Sequence, residues 1–354
     1  MKEFFRKLFG EKKYRTVFII CIILALLIVV GALAAKKYKK QGVATATKTA
    51  TAQTKTISLL DGLPYDKDKA TRHPLAVIIE NHPDARPQSG LNKATLVYEA
   101  ITEGGITRFM AIYGPNDADE LGPIRSARLF FMDWLKEYDA FFAHAGGNED
   151  AMNKLESYNI KDIPHTEPYY KRDYKGRSVA SEHTLYSSVG ELYKLAQSKG
   201  YDISTSSYTP LKFKADGPAD PAGKGVTINF SSPSYLVKWT YDPATNKYLR
   251  SLAGEPHKDR VTDEQLTAKN IIIQTVSRTF EPTGSYGSQN YVFQDVGSGD
   301  GYVLRDGKVI KVTWKKTDLS SRTIFTDESG AEVKFDPGNT WYEIVPPEVS
   351  PSFE

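Results

Sequence analysis

Val97–Tyr113 reads VYEAITEGGITRFMAIY, with two glutamates ahead of a double glycine and an arginine behind it. On a helix, Glu99 and Glu103 would stand one turn apart with their carboxylates side by side. Gly104-Gly105 and the period-two alternation of ITRFMAIY argue instead for strand, turn and strand. At a strand rise of ~3.3 Å per residue the two glutamates lie ~13 Å apart. Retaining glycosidases hold their carboxyl pair at ~5–5.5 Å and inverting ones at ~6.5–9.5 Å, so these two are not each other's catalytic partner. Glu103, at a strand end beside glycines that let a ligand approach the backbone, is the candidate catalytic carboxylate. The alternative makes both glutamates solvent-facing and paired with Arg108 or a lysine.

The flanking sequence extends this pattern. PLAVIIEN reads as a buried strand ending at Glu80, HPDARPQSG as a turn region, and Ser126–Tyr138 as a helix with its aromatic residues mostly on one side. A further strand at Ala140–His144 leads through AGGN into a helix at 149–157 with Asn148 as its cap, and a third helix spans 187–198. Strands alternating with helices predict an α/β layer structure, with α+β as the alternative. Beyond ADGPADPAGK the chain turns to short strands: VTINF, YLVKWTY, KYLRSL, IIIQTV, YVLRDGKVIKVTW, TIFTD and WYEIV. Their polar residues read as outward-facing strand positions. The fold expected is therefore an α/β N-terminal ectodomain (73–214) followed by a β-rich C-terminal domain (225–354).

Val17–Ala35 is a charge-free run of 19 residues, about the length that crosses a ~30 Å hydrocarbon layer as a helix. Six basic residues precede it and four follow, which places a short tail (1–16) in the cytoplasm and the remainder outside, as a single-pass protein of the cell membrane. A cleaved signal peptide is the alternative, since Ala32-Leu33-Ala34 has the small-x-small form, but the run exceeds a ~7–15-residue signal core. Residues 36–72 form a linker, Thr/Ala/Lys-rich at its start. Residues 1–40 hold 10 basic and 2 acidic side chains, leaving 36 and 41 for the rest. The outer part is thus mildly acidic and offers no nucleic-acid surface. The single cysteine, Cys21, excludes a disulfide framework.

Three constellations carry candidate chemistry. Gly122-Pro123-Ile124-Arg125-Ser126-Ala127-Arg128 leads into the first helix, where free N–H groups and two guanidinium forks suit phosphate or carboxylate; the alternative is that the arginines bridge to acids and Ser126 is a plain cap. FFAHAGGN places His144 at the end of a strand before a glycine loop, as a second catalytic candidate. Glu80, Arg108 and His183 are candidate substrate contacts beside Arg125, Ser126 and Arg128. A zinc site would require long-range assembly of His82, His144 and His183, so neither a metal nor a cofactor is assigned. No G-x-S-x-G, P-loop or dinucleotide fingerprint is present.

Taken together, AVIIENHPDARPQSGL, LVYEAITEGGITRFMAIY, GPIRSAR, FFAHAGGN and EHTLYSS resemble the YerB-like family of bacterial proteins named as lipoproteins, whose domains have no known function. The later WTYDPATNKYLR, NIIIQ and NTWYEIVP resemble that family's C-terminal domain. The resemblance implies an envelope-anchored, two-domain protein of Gram-positive-type bacteria and no activity. An apolar anchor stands here where many members have a lipid-attachment cysteine. A much weaker likeness in the order of parts links Arg108, Pro123-Ile124-Arg125 and the Gly-Gly loop to the LytR–CpsA–Psr phosphotransferases, without their acidic metal ligands. The expected function is action on peptidoglycan or a wall-linked glycan through Glu103. A non-catalytic module binding a wall polymer or a synthase, and an arginine-centred phosphotransferase, are the alternatives. The partners expected are a cell-wall glycan or anionic envelope polymer, and the membrane through the N-terminal helix.

Overall fold

The computed structural model describes residues 55–354 apart from Thr205 and 284–287, together with 6, 10, 16, 20, 22, 23, 25–33 and 36. The expected tail (1–16) falls largely outside the described residues, whereas residues 20, 22, 23 and 25–33 of the expected membrane helix (17–35) are described and are helical. Among the described residues no helix is long and apolar enough to cross a membrane. Within the expected linker, Thr56–Ile57 pairs with Pro64–Tyr65 and Leu60 is buried.

The fold is mixed α/β around one large sheet. Its strands are β1 (Leu75–Glu80), β2 (Leu96–Ile101), β3 (Thr107–Tyr113), β4 (Phe141–Ala143) and β5 (Lys161–Asp162). A smaller second sheet is built around β6 (Val226–Asn229), β7 (Leu236–Asp242) and β8 (Lys247–Leu252). The large sheet is completed by β9 (Asn270–Thr275), β10 (Gly297–Arg305), β11 (Lys308–Lys316), β12 (Ile324–Asp327) and β13 (Thr340–Val345). Its ten strands run in the order β12-β11-β10-β9-β13-β2-β3-β1-β4-β5.

The expected strand, turn and strand of Val97–Tyr113 is present: β2 and β3 pair antiparallel, joined by a short turn at Glu103–Gly105. Gly104 and Gly105 take φ of 65° and 74° there, values that favour glycine at both positions. The late strand β13 inserts between β2 and β9, parallel to both. The sheet therefore runs without a break from the first half of the chain into the second.

Strand periodicity divides the apolar residues between two cores. Val77, Val97, Phe109 and Tyr113 face helix α3 (Val189–Ser198) and the second sheet. Ile78, Tyr98, Met110 and Ile112 face helix α1 (Leu129–Leu135) and helix α2 (Glu149–Lys154). By the same alternation Glu99 lies on the face of Val97, whereas Glu80 and Arg108 lie on the opposite face, as cross-strand partners at the ends of β1 and β3.

Glu99 is not solvent-facing. It is fully buried against Arg250 of β8, which also donates to Glu343 Oε1 of β13 at 2.8 Å, and all three residues are 0% exposed. Thr107 and Asn81 donate to Glu99 Oε1, and Trp239 Nε1 donates to Glu343 Oε1 at 2.7 Å. The Arg250 guanidinium lies 4.5 Å from the ring centre of Trp341 and 5.1 Å from that of Trp239. Arg250 and Glu343 are a correction to the reading of the later strands as carrying outward-facing polar residues: Arg250 shares the inward face of β8 with Tyr248 and Leu252.

Burial, followed by the charge of Glu99 and against the pull of Arg250, pushes the Glu343 carboxyl up from 4.5 to about 8. Two predictions follow from this buried cluster. Arg250→Met should lose about 3–5 kcal/mol of stability, the range for removing one partner from a buried ion pair, read as a lower urea midpoint; an unchanged midpoint would refute the clamp. Between pH 4.5 and about 8 the unfolded chain releases the Glu343 proton while the folded chain retains it, so this group's contribution to stability falls as pH rises. Glu343→Gln should therefore flatten the decline in thermal midpoint across that window, and a wild-type slope in the variant would contradict the shift.

Candidate anion-binding cleft

At the ends of β1 and β3, on the α1 face, a cleft of about 360 Å³ is lined by Glu80, His82, Thr102, Glu103, Ile106, Arg108, Arg125, Arg128, Glu182 and His183. Five of the seven other predicted site residues meet Glu103 there: Glu80, Arg108, Arg125, Arg128 and His183. Strand register places Glu80 and Arg108, and the Glu103–Gly105 turn places Glu103. Residues 122–125 run extended beside β1, with Glu80 N–H donating to Pro123 O at 2.9 Å and Arg125 N–H to Ile78 O at 2.9 Å.

That pairing corrects the expectation of a helix beginning at Ser126. Helix α1 has only seven residues and Arg128 at its cap position. The segment is held extended by β1, so the cationic groups of the cleft are arginine side chains and not a helix end. Ser126 contributes its backbone carbonyl, which accepts from Arg108 Nη1 at 3.0 Å.

The charges are unevenly matched. Arg128 pairs with Glu103 and also donates to Ala127 O at 2.6 Å. Arg125 Nε is 3.1 Å from Glu80 Oε1, close enough for an ion pair but without hydrogen-bond alignment. Arg108 is 5% exposed and its buried Nε has no hydrogen-bond partner. Burial and the nearby charge of Arg128 push its pKa down to about 9, which still leaves it a cation at neutral pH. Burial acts to raise the Glu103 carboxyl, but the bond and charge of Arg128, together with Arg108, outweigh it and hold the group below its ordinary value. Glu103 is therefore an ionised, paired carboxylate rather than a proton donor near neutrality.

On the other side Glu80 Oε2 meets His183 Nδ1 at 2.8 Å, and the His183 ring stacks on His82 at 4.8 Å between centres. His144 is not brought to this group. It is fully buried, with Nδ1 2.7 Å from Gly146 O and Nε2 2.8 Å from Asp162 Oδ1, so both ring nitrogens are engaged in the fold. His82 and Thr102 line the cleft without having been read as substrate contacts. His82 follows the end of β1 by two residues, the same strand-end position that marked Glu80.

Comparison with known proteins places the chain. Residues 60–202 match the family described as "Protein of unknown function (DUF3048) N-terminal domain". Residues 226–342 match the corresponding C-terminal domain. The chain belongs to this family. It is 32% identical over 296 residues to "Putative lipoprotein YerB" of Bacillus subtilis (strain 168), covering 81% of this chain and 85% of that protein. The crystal structure of YerB from Bacillus subtilis superposes with a TM-score of 0.73 at 31% identity, covering 84% of this chain and all of the other. The YerB-like resemblance read from the motifs is thereby shown.

The Glu103–Arg128 pair gives a direct test of the cleft's electrostatics. In Arg128→Ala the Glu103 carboxyl should titrate at higher pH than in the parent, followed by side-chain carbon NMR. An unmoved titration would mean that Arg128 does not hold Glu103 ionised.

Proposed function

We propose that the chain is a membrane-anchored, extracytoplasmic receptor whose cleft binds anionic groups, phosphate or carboxylate, of a cell-envelope polymer. The observation that carries this reading is Arg108: a buried guanidinium with an unpartnered Nε, beside two further arginines. Burying a guanidinium whose charge is only partly paired is costly, and an anion entering the cleft would supply countercharge to Arg108 where that residue lines it. The planar forks of three arginines suit two-pronged contact with phosphate or carboxylate oxygens. Location at the membrane is supported by the apolar run at Val17–Ala35 and by a relative named as a lipoprotein.

Glycan cleavage with Glu103 as the catalytic group is the second reading. Its support is the position of Glu103 on the cleft wall at a glycine turn; the pairing with Arg128 points to a base or a positioning role and against a general acid. Glu103→Gln separates the two, since loss of product release from wall sacculi with binding retained would identify an enzyme.

Arg125→Ala should weaken binding of a phosphate-bearing wall polymer about tenfold or more, the order expected for one charge-assisted hydrogen bond of ~1.5–3 kcal/mol. Binding by the parent should fall as ionic strength rises. Equal affinity of parent and variant in a calorimetric titration would sink the receptor reading.

A further inference from the structure

We infer that His82, Asp84 and His183 form a binding site for a divalent transition metal of the zinc type at the edge of the arginine cleft. The ligating atoms of the three side chains lie within 4.8 Å of one another. Two imidazoles and one carboxylate are a donor set that suits zinc and its neighbours rather than calcium or magnesium. Bonds of ~2.0–2.1 Å in a tetrahedron put ligand atoms ~3.3 Å apart. His82 Nδ1 and Asp84 Oδ2 are already 3.7 Å apart.

The hydrogen bonds leave the required lone pairs available. His183 Nδ1 meets the Glu80 carboxylate at 2.8 Å, which assigns the proton to Nδ1 and frees Nε2 to ligate. A carboxylate behind a ligating histidine is the usual outer support of a metal site. His82 Nδ1 accepts from Asp84 N–H at 3.2 Å, so its lone pair is on the side of Asp84, held by a long bond that a metal would displace. The two loops are fastened to each other independently of any ion: Arg177 donates to Asp84 O and, at 3.2 Å, to His183 O. Glu80 also stands between His183 and Arg125, so its carboxylate offsets the charge of that guanidinium beside a bound dication. Three protein ligands leave a fourth position for water or an anionic oxygen.

The other cluster of carboxylates, Asp216, Asp306 and Asp336, differs in kind. Lys214 pairs with Asp306 and Asp336, Lys269 with Asp216, and Arg305 with Asp306, so its negative charge is met by the protein's own cations.

The test uses the full chain in detergent, loaded with zinc sulfate, dialysed against micromolar free zinc and analysed by elemental mass spectrometry. One zinc per chain is expected, with a rise in thermal midpoint on loading. His82→Ala, at a partly exposed position, should fold as the parent does and lose the zinc and the rise. Glu80→Gln should weaken zinc about 10–100-fold, as for loss of an outer carboxylate. Cobalt(II) in place of zinc should give the strong visible absorption of a four-coordinate ion, absent in His82→Ala and in His183→Ala. Less than a tenth of a zinc per parent chain, or full zinc retained by folded His82→Ala, would overturn the inference. The outcome is separable from the receptor reading, because zinc retention is measured without polymer and polymer binding is measured through Arg125.

Discussion

Arg250 is the residue on which the joining of the two halves depends. It comes from β8 in the second sheet and is charged, yet it lies at 0% exposure between Glu99 of β2 and Glu343 of β13. Removing a guanidinium from water costs several kcal/mol, which only well-aligned opposite charge and hydrogen bonds can offset. Here two carboxyl groups, Trp239, Trp341 and His257 surround it. Two carboxylates around one cation would leave an extra buried negative charge. The upward shift of Glu343 removes it by keeping a proton on that carboxyl, so the cluster is close to neutral as well as paired.

The same network reaches the cleft. Arg250 Nε donates to His257 Nδ1 at 3.0 Å, and His257 Nε2 then meets Gln88 Oε1 at 2.8 Å. Burial and the charges of Arg250 and Arg86 hold His257 well below its ordinary value, so it stays neutral with one donor and one acceptor nitrogen. Gln88 in turn donates to the backbone carbonyl of Glu80 and to Asn81 Oδ1, both at 2.9 Å. The strand end that carries Glu80 into the cleft is thus tied to the clamp by a continuous run of satisfied buried groups. A buried polar network of this kind specifies one arrangement strongly, because breaking any bond leaves a costly unpaired group.

Much of this was legible in the sequence, and the limits have physical causes. The strand, turn and strand of Val97–Tyr113 could be read because glycine pairs and period two are local signals. The same period, followed through β8, places Arg250 on the face of Tyr248 and Leu252, a signal for burial that an outward-facing reading of the later strands passes over. In β13 no alternation exists to read, since all six residues are buried, and the inward position of Glu343 follows only from the strand's insertion between β2 and β9. The start of α1 was misplaced because the aromatic pattern from Leu129 was extended back through Ser126. Backbone pairing between 122–125 and β1, a contact between distant segments, decides that boundary. Six predicted residues converge at one end of the sheet: Glu80 and Arg108 end strands, Glu103 opens the turn, Arg125 and Arg128 lie on or just after the segment held beside β1, and His183 sits in the single helical turn Ser181–His183. His144 also ends a strand, but Asp162 of the neighbouring β5 takes its free nitrogen.

The contrast between Arg250 and Arg108 is between a buried cation that the fold pairs fully and one that it pairs only in part. Both are buried and both belong to sheet strands. Arg250 has its carboxylates, its aromatic neighbours and a histidine acceptor for Nε, so nothing about it calls for a ligand. Arg108 has one backbone carbonyl, two like charges close by and an idle Nε. A fold selected only for stability would gain by pairing that donor or by replacing the residue with an apolar one. Glu80 is its cross-strand partner in register, yet the Glu80 carboxylate is directed to Arg125 and His183 instead. The acceptor closest at hand is thereby engaged elsewhere, Glu103 meets Arg108 only through its charge and not through a bond, and under the proposed receptor role an anion in the cleft would complete the pairing.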